Sequence, residues 1–189
     1  MRGIELSPEQ RARLNEKEAA ANKHNRALAM MAHRQARLDR INVATVKAKN
    51  FLNTLDNMHQ TNHIAAAMLY LGEGAKGEGA FCFANSDPNV IRYWLYLLRN
   101  SFDVDETKFR IQVVCRADQA YEELVAYWIT ITGIQKHIRG TIDIRTKGSP
   151  TKRQDYKGVC KIIYHDVSIR RYLDALAQGL MDQAWETLH

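Results

Sequence analysis

Ile64-Ala65-Ala66-Ala67-Met68-Leu69-Tyr70-Leu71-Gly72-Glu73-Gly74 decides the fold, and Phe81-Cys82-Phe83-Ala84-Asn85-Ser86-Asp87-Pro88 follows it closely. An alanine- and leucine-rich run of this length reads as a buried helix. Gly72-Glu73-Gly74 ends it, because glycine lets the chain leave helical geometry and lets another backbone come close. The next run reads as a strand over 79–86 and closes on Asp87-Pro88, an N-cap followed by proline at the first helical position. Glu73 is thereby held at the mouth of a helix. Hard divalent cations such as Mg²⁺ take one or two such carboxylates together with water and phosphate. A turn carrying a solvated Glu is the plain alternative.

Beyond this core the pattern is one of short mixed elements. Helices are expected over 88–101, 119–132 and 167–180, and strands over 108–116, 140–147 and 157–165. Leu95, Leu97, Leu98 and Phe102 cover the buried side of the first of these helices, with Trp94 and Tyr96 at its edges. Gly133 ends the second, and Gly148-Ser149-Pro150 opens a loop that joins the last two strands as a hairpin. Helices alternating with strands make a mixed α/β domain whose sheet is open on one face.

Upstream the chain is different. Ser7-Pro8-Glu9-Gln10 is a helix start, with an N-cap Ser, Pro at the first position and Gln three residues after the cap. No Gly or Pro then appears until Gly72. Residues 8 to about 40 favour helix, and a second helix is expected from about Asn42 to Met58. Leu14, Leu28, Met31, Leu38 and Ile41 make only a thin apolar stripe, too little to bury a core alone. The segment is a protruding helix that docks on a partner, a basic arm that folds on nucleic acid, or a partly disordered tail. The domain boundary falls near 60, between a basic helical extension (1–60) and an α/β domain (61–189).

The charge sharpens this division. The formal net charge is +6. Residues 1–50 hold eleven Lys and Arg against five Asp and Glu, while the remainder balances at sixteen of each. All the basic excess is N-terminal. With 189 residues, 46% of them hydrophobic, a full core is within reach. The longest apolar run, Ile64 to Leu71, is too short to span a bilayer, which leaves a cytoplasmic location as the expectation. Cys82, Cys115 and Cys160 have no metal-ligand spacing and sit in strand-like runs, where they read as small core hydrophobes. No phosphate-binding Gly loop, nucleophile elbow or zinc signature is present.

Alternation along each strand separates an inward set from an outward set. Ile111, Val113 and Cys115 face inward, with Arg110, Gln112 and Arg116 outward. Ile142 and Ile144 face inward, with Asp143, Arg145 and Lys147 outward. Cys160, Ile162 and Tyr164 face inward, with Lys157, Lys161 and His165 outward. Lys152 and Arg153 extend the basic set at the loop tip. Such side chains neutralise phosphates, and Arg or Gln on a sheet can also read base edges, so Arg110, Gln112, Arg116, Arg145, Lys147, Lys152, Arg153, Lys157 and Lys161 are candidate DNA contacts. One polar face is also what any half-solvated sheet displays.

Ala66-Ala67-Met68-Leu69-Tyr70-Leu71-Gly72-Glu73-Gly74 resembles the nine-residue signature of the LAGLIDADG homing endonucleases and related DNA-binding proteins. Phe83-Ala84-Asn85-Ser86-Asp87 resembles the second block of that family, and the likeness spans roughly residues 61–180. Met68 stands where the family usually has Gly, the first hairpin is shortened to Gly74 through Asn85, and an extra helix interrupts the later strands. The resemblance implies a half-domain with a curved antiparallel sheet flanked by helices, acting as a homodimer on double-stranded DNA. Ala65, Met68, Leu69 and Gly72 would form the dimer interface. Glu73 would bind catalytic Mg²⁺, Gly74 would be its partner, and Lys76 or Lys161 would stabilise charge on the phosphate. Glu78, within a second Gly-Glu-Gly, could supply a second metal oxygen. The implied activity is Mg²⁺-dependent, site-specific DNA cleavage. The alternatives are a non-cleaving DNA-binding regulator of the same fold, and a protein-interaction module using the basic N-terminal helix.

Overall fold

The computed structural model describes residues 7–75, 77, 81–144 and 155–187. The chain divides into two compact units, Met1–Asp56 and Asn57–His189. Among the described residues the first contains one helix, α1 (Pro8–Leu52), 45 residues long. Its start is the expected capping box: Ser7 Oγ accepts from the Gln10 N–H at 3.2 Å, and Gln10 Oε1 accepts from the Ser7 N–H at 3.0 Å. The expected break near residue 40 does not occur. Nothing between Gln10 and Leu52 is a helix breaker, and the helix ends only at Asn53. Every side chain described from Ser7 to Thr54 is exposed.

The second unit begins with α2 (Met58–Glu73), whose N-cap Asn57 accepts from the Gln60 N–H at 3.0 Å. There follow β1 (Phe81–Asn85), α3 (Pro88–Ser101), a 3₁₀ turn (Glu106–Lys108), β2 (Phe109–Arg116), α4 (Tyr121–Thr132), β3 (His137–Ile138), β4 (Ile142–Asp143), β5 (Val159–Tyr164) and α5 (Ser168–Glu186). The domain is mixed α/β, with strand order β1-β5-β2-β3. β5, late in the chain, lies between β1 and β2 and pairs antiparallel with both. α2 packs between α3 and α5, and α4 packs on β2 and α3.

Two expectations about the sheet are corrected. It is not wholly antiparallel, because β3 and β4 both run parallel to β2. Nor do the last two strands form a hairpin, since β2 separates β4 from β5. The physical reason is α4: a helix of 12 residues is the crossover that lets β3 return beside β2 in the same direction. The N–H groups of Ile111, Cys115 and Ala117 share one edge of β2 and donate to the carbonyls of Lys136, Thr141 and Asp143 at 3.0, 3.2 and 3.2 Å. Ile111 faces His137, yet Cys115 faces Ile142, one residue beyond a continuous pairing. The extra residue is a bulge at Gly140, whose missing side chain admits the Val113 carbonyl. On this short edge Ile142 and Ile144 are exposed rather than buried.

The core lies between the helices and one sheet face. Phe109, Ile111, Val113 and Cys115 from β2 meet Cys160, Ile162 and Tyr164 from β5, as the alternation predicts. Trp94 is buried rather than at an edge, because it stacks on Phe83 (4.6 Å between centroids) and Tyr70 (5.7 Å). Tyr96 is exposed. Full burial of each such aromatic contributes about 2–3 kcal/mol. The three cysteines are buried and free, and burial pushes the Cys160 thiol up to about 12. Among the described residues no helix is long and apolar enough to cross a membrane.

Candidate nucleic-acid interface and helix seam

Glu73 is the last residue of α2, and the chain passes from it straight to the sheet edge. Gly74 caps the helix in extended geometry, donating to the Tyr70 carbonyl at 2.8 Å, and forms an isolated antiparallel bridge with Phe83. The Ala75 N–H then donates to the Cys82 carbonyl at 2.9 Å. This single bridge joins the end of α2 to β1. Tyr70 fixes it from below, its hydroxyl donating to the Ala75 carbonyl at 3.2 Å. Glu73 itself is exposed and has no hydrogen bond or ion pair among the described residues. A carboxylate at a helix C-terminus works against the helix dipole, so together with the last carbonyls it makes a locally negative spot that favours a cation.

Arg170, on α5, was not singled out from the sequence. It donates from Nη1 to the Gly77 carbonyl at 2.6 Å, tying α5 to the loop after Glu73, and it pairs with Asp174 at 3.4 Å. No local signal reveals a contact between residues so far apart in the chain. Lys76 and Glu78 lie outside the described residues.

The residues expected at a dimer interface lie on the outer side of α2. Met68 (45% exposed) and Gly72 lie one helical turn apart, with Ile64 (43%) a turn earlier, while Ala65 and Leu69 beside them are half-buried. A Cβ on Gly72 would meet nothing within 4 Å. This side is apolar, and Ile64, Met68 and Gly72 on it are exposed among the described residues.

On the sheet, positions opposite the core are Cys82 and Ala84 of β1, Val159, Lys161 and Ile163 of β5, and Arg110, Gln112, Val114 and Arg116 of β2. They contain three cations, and Asp143 of β4, in register with Arg116, adds one carboxylate to the same face, which leaves a net positive bias toward anions. Lys161 is central, its Cα opposite Ala84 on one side and Gln112 on the other. It stands two strand spacings, about 10 Å, from the Gly74 bridge. It is half-buried and has no carboxylate partner among the described residues.

The other predicted contacts are already engaged to differing degrees. Arg110 donates to the Thr107 and Phe109 carbonyls at 2.6 and 2.7 Å, and Gln112 donates to the Arg139 carbonyl at 3.3 Å. Arg116 pairs with Asp118 at 3.3 Å, lies 5.4 Å from the Tyr156 ring centroid and stands in register with Asp143. Lys157 does not join the outward row. Gly158, at φ 71°, interrupts the alternation, and the Lys157 ammonium sits 5.7 Å from the ring centroid of Tyr127 on α4. Trp128 Nε1 donates to the Lys157 carbonyl at 2.7 Å and fixes that turn. Arg145, Lys147, Lys152 and Arg153 lie outside the described residues.

Among the described residues no group of three or more His, Cys, Asp or Glu side chains could hold a metal ion. No protein-family model, no curated protein and no solved structure matches this chain.

Proposed function

We propose that this chain is a duplex-DNA-binding protein of the LAGLIDADG type, which pairs with a second copy through the outer side of α2 and lays the open face of its sheet on DNA. What carries the reading is the coincidence of two features. The outer side of α2 exposes Ile64 and Met68 among the described residues, and it ends in an exposed Glu73 directly at the edge of a sheet whose outward row carries Arg110, Arg116 and Lys161. A two-fold axis along α2 would bring two Glu73 carboxylates together, the number of protein ligands Mg²⁺ commonly takes. Mg²⁺ held there supplies a Lewis acid for phosphodiester hydrolysis. The chain's own part is to position: Lys161 and Arg110 hold phosphates by charge, and Gln112 is suited to a base edge.

A second reading, DNA binding without cleavage, is favoured by Met68, whose bulk on the exposed helix side keeps two α2 backbones further apart than glycine would. One set of assays separates the two. Light scattering should give a dimer, anisotropy should show duplex binding that weakens steeply with salt, and plasmid with Mg²⁺ should be nicked by the natural chain and not by Glu73→Gln. Salt-sensitive binding with no nicking selects the regulator. Absence of duplex binding even at low salt removes both readings and leaves the protein-interaction module.

A further inference from the structure

The long helix α1 presents an ordered row of cations. Between residues 19 and 52 it holds seven Lys and Arg and a single carboxylate, Asp39. Six of the seven fall on one side: at 3.6 residues per turn, Lys23, Arg26, Arg34, Arg37, Arg40 and Lys47 lie within an arc of about 140°. Asp39 lies on the opposite side and accepts from Gln35 Nε2 at 2.9 Å. All six cations are exposed and none has a carboxylate partner among the described residues. Charge in a merely solvated helix would be spread around the barrel and mixed in sign.

We infer that this row is a phosphate-binding face for duplex nucleic acid, a second contact in addition to the sheet. From Lys23 to Lys47 the helix rises about 36 Å, close to the length of one turn of B-DNA. Six long cationic side chains over that length match a polyanion with one charge per about 1.7 Å of axis. A membrane surface is the poorer fit, because an interfacial helix needs a broad apolar face with aromatic anchors. The side of α1 away from the row mixes Gln35, Asp39 and Asn42 with the exposed Leu28, Met31, Leu38 and Val46, so it forms no continuous apolar face, and Phe51 is the helix's one aromatic residue. The inference rests on the reading of the chain as a DNA-binding protein and adds where non-specific affinity comes from.

The test uses the full chain and a labelled duplex of arbitrary sequence, with anisotropy followed across a salt series. Arg34→Gln/Arg37→Gln/Arg40→Gln should lower the salt slope by about 2.7 and weaken binding on the order of 100-fold near physiological salt. Arg13→Gln/Lys17→Gln/Lys49→Gln removes the same charge from the other side of the helix and should have a clearly smaller effect. Circular dichroism checks that both variants keep their helix. Equal losses in the two triples mean net charge alone and overturn the inference, as does tighter binding of the natural chain to anionic lipid vesicles or polyglutamate than to duplex. If Lys161→Gln leaves binding unchanged while the Arg34 triple weakens it, the sheet reading fails and the α1 face stands. The reverse pattern overturns the α1 face and keeps the sheet.

Discussion

Gly74 is packed hard against Tyr70: a Cβ built on Gly74 would lie 2.5 Å from Cδ2 and Cε2 of the ring and from the Tyr70 carbonyl oxygen. The helix cap, the Phe83 bridge and the position of Glu73 all depend on that approach. Gly74→Ala forces the ring or the sheet edge to move, an overpacking cost of about 1–3 kcal/mol. Thermal denaturation should show the loss, and a melting curve identical to the natural chain would mean the edge yields freely.

Tyr121 holds the bulged edge of the sheet, its hydroxyl accepting from the Gly140 N–H at 2.8 Å. Tyr121→Phe leaves that N–H without its partner at a cost of about 1 kcal/mol, and the damage should be local. Hydrogen exchange should quicken at residues 137–143 and stay unchanged in β5.

His63 lies among His59, Phe102 and Tyr172, and neither ring nitrogen has a hydrogen-bond partner among the described residues. Desolvation first, then His59, lower its pKa, with the Ser101 main chain pulling the other way. The unfolded chain therefore takes up a proton near pH 6.5 that the folded chain refuses, so stability falls as pH drops through that value. His63→Phe should remove this dependence and leave the fold as stable or more so at neutral pH. Urea midpoints measured on both sides of that pH decide it.

Asp166 stands just before α5 and binds its first residue, Ser168. The Ser168 hydroxyl and N–H donate to Oδ1 at 2.7 and 3.0 Å and the Lys108 ammonium to Oδ2 at 3.0 Å, which together hold its carboxyl well below the usual range. A depressed carboxylate contributes stability that is complete above its unfolded pKa, near 3.9, and fades as pH falls below it. Ser168→Ala should bring the Asp166 titration, followed by carboxyl chemical shift, back toward the ordinary range. Acid unfolding of the variant should begin at higher pH.

Met68→Lys puts a charge on the apolar outer side of α2 without touching the core. The expected outcome is a monomer by light scattering, with an unaltered melting point at low concentration and weaker duplex binding. A monomeric natural chain would sink the seam itself.

Much of the architecture was legible in local chemistry. Ser7 with Gln10, Asp87-Pro88 and Gly133 marked helix ends because caps act within a few residues, and the alternation of 109–116 and 159–164 assigned the buried faces because a strand's period is two. The Gly-Glu-Gly punctuation placed Glu73 at a helix end for the same reason. What could not be read was pairing between distant segments. A run such as 137–143 has the same pattern whether it runs parallel or antiparallel to its neighbour. The α4 crossover decides that it returns beside β2, exposing Ile142 where a hairpin would have buried it. Lys157 was misplaced because a single positive φ at Gly158 shifts the alternation, and Arg170 was missed because its partner Gly77 is brought to it only by the packing of α5 on α2.

The sequence by itself determined where helices and strands begin, which faces are apolar, that the basic excess is N-terminal, and that its cations repeat in step with the helix, since all of these follow from covalent order and short-range sterics. Only the tertiary structure decided which strand sits at the centre of the sheet, that the outward rows of β2 and β5 lie side by side with Glu73 at the sheet's edge, and that Ile64 and Met68 on one side of α2 stay exposed, because such facts depend on which distant apolar surfaces exclude water together.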